Sequence, residues 1–258
     1  MTALHLAARF TSASVVKVIV EVAADINAQD DQHQTALHYA AQHTDVDVVR
    51  LLMSNGANVR AVDNEQRTML HFSAQNKSVD VVKVIINTGE ADVRAVDKDK
   101  QTALHYAARH NPSAIVIRTL IEAGSDVDAR ADFVYYQQRT PLHFAARWNP
   151  SADVIKALID NGADADARDN TQHTPLHLAA SSNEGAVKAL VERKANVNVL
   201  NVFQESPLFF AALGNNREAI IELCQAGAKP HLGKYNPLDS SHVADEIKIL
   251  IREKCSSL

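Results

Sequence analysis

Six histidines, His5, His38, His71, His105, His143 and His177, return at a near-constant interval in this 258-residue chain, each closing a Thr-x-Leu-His tetrapeptide. Imidazole is the commonest metal ligand, so the ladder first raises the question of a metal site. Zinc needs three or four ligands converging on one coordination sphere, whereas these histidines fall about one repeat apart, and no metal is expected. The two cysteines, Cys224 and Cys255, are well separated and match neither a ligand nor a disulfide pattern. Cys224, beside Leu223, reads as a small buried apolar residue, and Cys255 as an exposed thiol near a frayed end. Glycine-rich phosphate loops, His-Glu-x-x-His, Gly-x-Ser-x-Gly and Cys-x-x-Cys are missing, so no catalytic residue and no cofactor are expected, and the chain is not read as an enzyme.

The elements that carry the histidines follow from their neighbours. The tetrapeptides begin at Thr2, Thr35, Thr68, Thr102, Thr140 and Thr174, with Ser206-Pro-Leu-Phe209 and Asn236-Pro-Leu238 as faded copies, at steps of 33, 33, 34, 38, 34, 32 and 30 residues. A period of this length marks a stacked-repeat architecture. Each Thr is placed to cap a short helix, and Pro141, Pro175, Pro207 and Pro237 stand at the next position, where a missing N–H costs nothing. Small pairs follow, Ala40-Ala41, Ala107-Ala108, Ala145-Ala146 and Ala179-Ala180, which let neighbouring helix backbones approach closely. Asn111, Asn149, Asn183 and Asn215 are expected to end these inner helices in the left-handed conformation. Outer helices are predicted from apolar residues at helical spacing, such as Val154, Ile155, Leu158 and Ile159, closed by Gly56, Gly89, Gly124, Gly162 and Gly227. The short stretches between, such as Ala57 to Asp63, alternate and then turn as hairpin-like fingers.

Helix, turn, helix and finger, with Thr-Pro-Leu-His and near-copies of Gly-Ala-Asp-Val such as Gly56-Ala-Asn-Val59 at the joints, resembles the ankyrin repeat family over essentially the whole chain. The resemblance implies an all-α repeat solenoid of stacked helix-turn-helix units in one domain spanning residues 1–258, with units starting near residues 2, 35, 68, 102, 140, 174 and 206 and a degenerate capping unit at 236–258. The first unit has no finger before Thr2, so the chain is either a fragment of a longer protein or starts natively at Met1. Such stacks make extended binding surfaces, and the expected function is a non-catalytic protein-interaction module. The competing reading is a targeting or substrate-recognition arm of a larger enzyme or effector.

Three departures from the family pattern stand out. Where these repeats usually carry Gly, two residues before the Thr, this chain has His33, Gln66, Lys100, Gln138, Gln172 and Gln204. Either the fingers relax their turns or the stack loses stability, on the order of 1 kcal/mol per strained residue. The last unit, with Asp239, Ser240 and Ser241, has the polar character of a cap. The step of 38 places four extra residues in one finger, Arg130 to Arg139, where Phe133, Val134, Tyr135 and Tyr136 crowd a tip that should be solvated. These aromatics either fold over a neighbouring finger or anchor a partner.

By analogy with the family, the binding face is formed by the fingers and by the residues after each alanine pair. Arg67, Arg109, His110, Arg139, Arg147, Trp148 and His173 then fall on one face in the middle units, and with Phe133, Tyr135 and Tyr136 they form the candidate partner-binding set. Arginine forks match carboxylate and phosphate, so the expected partner is a protein or peptide of acidic or phosphorylated character. The alternative role for each arginine is an ion pair with finger aspartates such as Asp63, Asp97, Asp132 and Asp169. With 26 basic and 31 acidic residues the net charge is −5, which disfavours nucleic acid as a partner. No apolar run is long enough to span a bilayer, and the few cysteines suit a reducing compartment, so an intracellular and cytoplasmic protein, or an effector in host cytoplasm, is expected. Oligomeric state is open.

Overall fold

The structure, a computed structural model, describes residues 1–22, 24–43, 45–132 and 138–255. Among these residues helices follow one another in pairs: α1 (Ala3–Phe10) with α2 (Ala13–Glu21), α3 (Ala36–His43) with α4 (Val46–Ser54), α5 (Met69–Ser73) with α6 (Val79–Ile86), α7 (Ala103–His110) with α8 (Ala114–Glu122), α9 (Pro141–Trp148) with α10 (Ala152–Asp160), α11 (Pro175–Ala180) with α12 (Glu184–Glu192), and α13 (Pro207–Leu213) with α14 (Arg217–Gln225). A single helix, α15 (Asp245–Cys255), follows them. The all-α architecture expected from the repeat is the one adopted: the described residues form no sheet, and the fingers keep only isolated antiparallel bridges at Val62 with Thr68, Val96 with Thr102 and Ala131 with Arg139.

The chain forms two compact units, Met1–Asp126 and Val127–Leu258. In the first, α1, α3, α5 and α7 pack in succession along one row and α2, α4, α6 and α8 along a second. In the second, the rows are α9, α11 and α13, and α10, α12, α14 and α15. The alanine pairs lie buried between inner helices, while Val154, Ile155 and Leu158, like their counterparts in α4, α6 and α8, are sealed from solvent. Each large apolar side chain buried this way contributes about 1.5–3 kcal/mol.

The histidine ladder is structural. Nδ1 of each imidazole accepts the backbone N–H of its own Thr, at 2.9 Å for Thr2, 3.0 Å for Thr68 and 3.1 Å for Thr174. That fixes the proton on Nε2, which donates to a carbonyl of the next finger: His5 to Gln34, His71 to Gln101, His143 to His173 and His177 to Glu205, at 2.9–3.1 Å. One imidazole thus closes its own helix start and ties two repeats together. His38 Nε2 is the buried side-chain atom left without a partner among the described residues.

The asparagines do not act as expected. Asn111 and Asn149 are extended, at φ −103° and −85°, and Asn183 caps the start of α12, so Asn215 alone of the four is left-handed, at φ 52°. The others use the side-chain amide instead. Asn111 Nδ2 donates to the carbonyls of Ala74 and Asn76 at 3.0 and 2.7 Å, while its Oδ1 accepts from Ser113 N–H at 3.0 Å. Asn183 repeats this with Ala146 and Asn149, and Asn76 and Asn216 reach back to Ala41 and Ala180. Helix-terminal carbonyls that would be orphaned are satisfied by the following repeat, which the extended backbone permits and a left-handed terminator would not need. Asn111→Ala is expected to cost about 1–3 kcal/mol, read as a lowered urea midpoint, because the carbonyls it leaves are buried.

The finger turns settle the second expectation. His33, Gln66, Lys100, Gln138, Gln172 and Gln204 all sit at positive φ, between 56° and 63°, so the turns stay tight and non-glycine residues bear the strain. Lys194 adds a seventh, at φ 63°, at the place where glycine follows α4, α6, α8, α10 and α14. In the long finger, Ala131 N–H donates to Arg139 O and Gln138 N–H to Ala131 O, just as Asp63 and Gln66 pair in an ordinary finger. The four extra residues therefore lie, along the chain, between Ala131 and Gln138.

The cysteine reading is corrected. Cys224 is fully buried, as expected, but it is disulfide-bonded to Cys255, with Cα atoms 4.6 Å apart. The sequence separation of 31 hid the pair because α15 returns along α14 with nothing in the local spacing to announce it.

Candidate functional site

In every ordinary finger one side chain organises the turn. Asp30, Asp63, Asp97, Asp169 and Asn201 each accept, at Oδ1, the backbone N–H groups two and four residues on, at 2.8–2.9 Å. The second oxygen of each carboxylate is left to recruit a further donor. Tyr39 donates to Asp30 at 2.7 Å and Tyr106 to Asp97 at 2.8 Å. Burial, and then the carboxylate, push the Tyr39 phenol up to about 12 and raise Tyr106 as well.

Two of the candidate arginines are absorbed by this scheme. Arg67 donates from Nε and Nη2 to Asp63 Oδ2, at 2.8 and 2.6 Å, and lies 4.8 Å over the Phe72 ring. Arg139 has no such carboxylate in its own finger, where Ala131 holds the place, and pairs instead with Asp169 of the next finger at 3.0 Å. His173 belongs to the same buried cluster. Its Nε2 accepts from Asn201 Nδ2 at 3.0 Å, and its Nδ1 lies 2.6 Å from Thr171 Oγ1, which donates to Asp169 Oδ1 at 2.8 Å. Burial alone would raise the Asp169 carboxyl, but donors from His173, Thr171 and Arg139 hold it far below the usual range.

The residues after the alanine pairs line a groove in each unit. In the first, Gln42, His43, Gln75, Asn76 and His110 border about 540 Å³ together with Lys77. Partial burial, then Arg9 or Arg109, lowers His43 and His110 from the ordinary imidazole value. Arg109 is half-buried and His110 exposed. In the second unit, about 710 Å³ opens between the ends of α9, α11 and α13, lined by Arg147, Trp148, Ser181, Ser182, Glu184 and Glu218 among others. Arg147 is exposed, and its Nη1 donates to the hydroxyls of Ser181 and Ser182 at 2.9 and 3.0 Å. Trp148 is half-buried, its ring 5.3 Å from Phe144. Gly214 lets the end of α13 approach, since a side chain there would run into the Ser181 backbone.

Arg147 and Trp148 thus share one groove with acids that sequence reasoning passed over, Glu184 and Glu218. A second omission is Val202-Phe203, 51% and 55% exposed at a finger tip where the fingers based on Asp30, Asp63, Asp97 and Asp169 carry polar residues. That apolar pair between Asn201 and Gln204 was a legible signal. Phe133, Tyr135 and Tyr136 lie outside the described residues.

No group of three or more metal-ligating side chains forms among the described residues, and no helix there is long and apolar enough to cross a membrane. Comparisons with known proteins agree with the geometry. The ankyrin repeats (3 copies) family profile matches residues 1–63, 55–131, 116–201 and 142–234. The chain is similar to the human ASB11 ankyrin repeat domain, at a TM-score of 0.75 and 24% identity over 86% of this chain and 98% of that one. It is also similar to the ankyrin repeat domain of Bcl-3, a member of the IkappaB protein family, at a TM-score of 0.65 and 27% identity over the same shares. A search of curated protein sequences finds no match. With paired helices, Thr-His capping and finger turns matched along most of its length, the chain belongs to the ankyrin repeat family, whose stacked units serve as protein-binding scaffolds.

Proposed function

We propose that the chain recognises a partner protein through a peptide segment that places one carboxylate or phosphate on Arg147 and an aromatic or aliphatic side chain against Trp148. The observation that carries this reading is the exposed Arg147 guanidinium, held by two serine hydroxyls over an open groove beside the half-buried indole. A guanidinium tethered through Nη1 keeps its other N–H groups for a ligand and loses little side-chain freedom on binding. Glu184 and Glu218 line the same groove, so a single anionic group is favoured over an acidic run. Arg109 and His110 are the corresponding pair of the first unit. Arg67, Arg139 and His173 support their fingers, and their contribution to binding is through finger shape.

Trp148 is the single tryptophan of the sequence, so its fluorescence reports on this groove. Sequence-randomised peptides with a fixed central phosphoserine or aspartate are expected to bind about 10–100-fold more tightly than the same peptides with serine, the effect of one charge-assisted hydrogen bond. Arg147→Glu is expected to remove that preference and leave the urea midpoint unchanged, because the side chain is exposed. Equal affinity for the serine peptides, or an unaffected preference in the variant, would overturn the reading. A loss of affinity that tracked salt alone for any polyanion would point to nucleic acid instead.

A further inference from the structure

The last helix of the chain is held in place by chemistry that its neighbours do not use. Within the second unit, α12 is packed between α10 and α14 and α14 between α12 and α15, but among the described residues α15 has α14 as its only helix neighbour of substance. It buries Ile247, Leu250 and Ile251 and leaves Ile249 exposed. It is thus the least supported helix of its row, and the Cys224–Cys255 disulfide clasps its final turn to α14. Cys224 is sealed inside α14, whereas Cys255 is part-exposed. A cavity of about 410 Å³, lined by both cysteines, Gly227, Ala228, Pro230 and Leu232, with Lys229 and His231 on its wall, reaches the bond from solvent.

We propose that this pair is a reversible thiol–disulfide site that sets whether the terminal helix stays docked, and that its reductant is a dithiol. One thiolate of the dithiol enters the cavity and attacks Cys255 Sγ, the accessible sulfur; the S–S bond breaks, a mixed disulfide forms on Cys255, and the Cys224 thiolate leaves and takes up a proton. The second thiol of the reductant then displaces Cys255 as a thiol and closes its own disulfide. Two electrons and two protons are transferred in all, and oxidation reverses the sequence. A dithiol suits the site because both cysteines sit at helix C-terminal ends, where the helix dipole disfavours thiolates. Such a pair resists a monothiol and yields to a reductant whose second step is intramolecular. Lys229 stands on the cavity wall as the cation that attracts the incoming thiolate.

The consequence is conformational. Opening the bond restores the freedom of a 31-residue separation, which shifts the docking equilibrium of α15 by roughly two to three orders of magnitude. Once α15 leaves, the face of α14 that it covers is uncovered.

The test uses the full chain in oxidised and reduced glutathione buffers, with dithiothreitol as the dithiol probe. In the oxidised buffer no thiol should react with iodoacetamide; with dithiothreitol two should react, with Cys255 forming the first mixed adduct. Amide hydrogen exchange over Ile247–Ile251 should then quicken by about 100-fold or more, with α9 to α12 unchanged. Cys255→Ser should show the fast exchange without reductant and no response to it, and its circular dichroism verifies that the rest of the chain is folded. Two reactive thiols in the oxidised buffer would refute the site. Exchange that ignores reduction in the intact chain, or a Cys255→Ser variant that still exchanges slowly, would refute the switch.

Discussion

Glycine at Gln66, Lys194 and Gln204 is expected to make the protein more stable by about 1.5–3 kcal/mol in total, seen as a higher urea midpoint and an unfolding temperature raised by several degrees. The three residues hold φ at 63°, in the left-handed region where a Cβ meets the following carbonyl, and all three are exposed. Part of the gain is returned through the greater freedom of glycine in the unfolded chain, which is why each site is assigned about 0.5–1 kcal/mol. Gln66 lies in a different unit from Lys194 and Gln204, so its effect should add to theirs. At Gln66 the ranking should run Gly, Asn, Gln, Val from most to least stable, since Asn tolerates this conformation and a β-branched side chain does not. A glycine variant less stable than the parent would mean that the turn is held by the glutamine side chain itself.

How much of this could be read from residues alone depends on the range of the signal. Helix starts were legible because Thr, Pro and Leu act within one turn, and outer helices because apolar spacing is local. The left-handed fingers were half legible: the sequence located each missing glycine, but whether the turn would relax depends on the Asp at its base, whose Oδ1 holds two N–H groups in place. Partners set by neighbouring repeats were not legible. Arg67 and Arg139 look alike in sequence, yet one pairs within its own finger and the other with Asp169, because Ala131 displaced the local carboxylate. Asn111 was misread for the same reason, its carbonyl partners lying 35 and 37 residues upstream. The disulfide and the acids of the Arg147 groove depend on which helices pack together, which a repeat period alone does not specify.

Acid is expected to unfold this protein through its histidines before its carboxylates. Burial pushes His143 down to about 4 and His177 to about 3, and lowers His38 and His71, all against an ordinary value of 6.5. A depressed folded value means that the native state refuses a proton which the unfolded chain accepts. The stability these histidines contribute is therefore whole above pH 6.5 and is lost progressively as pH falls, down to about 4 for His143 and about 3 for His177. The shift of His143 corresponds to roughly 3 kcal/mol if its full range is traversed. The finger carboxylates act later: Asp30, Asp63 and Asp169 are held low by their donors, so their contribution persists above about pH 4 and fails only beneath it. Urea midpoints should then fall steadily from pH 7 to 4.5, a span in which an aspartate-driven transition would be nearly flat. His143→Gln separates the two causes. Glutamine at the third helical position can still accept the Thr140 N–H, so the variant should fold, with lower stability at pH 7 and a visibly shallower decline toward pH 4.5. An unchanged slope in that variant would show that His143 is not among the groups that take up the protons.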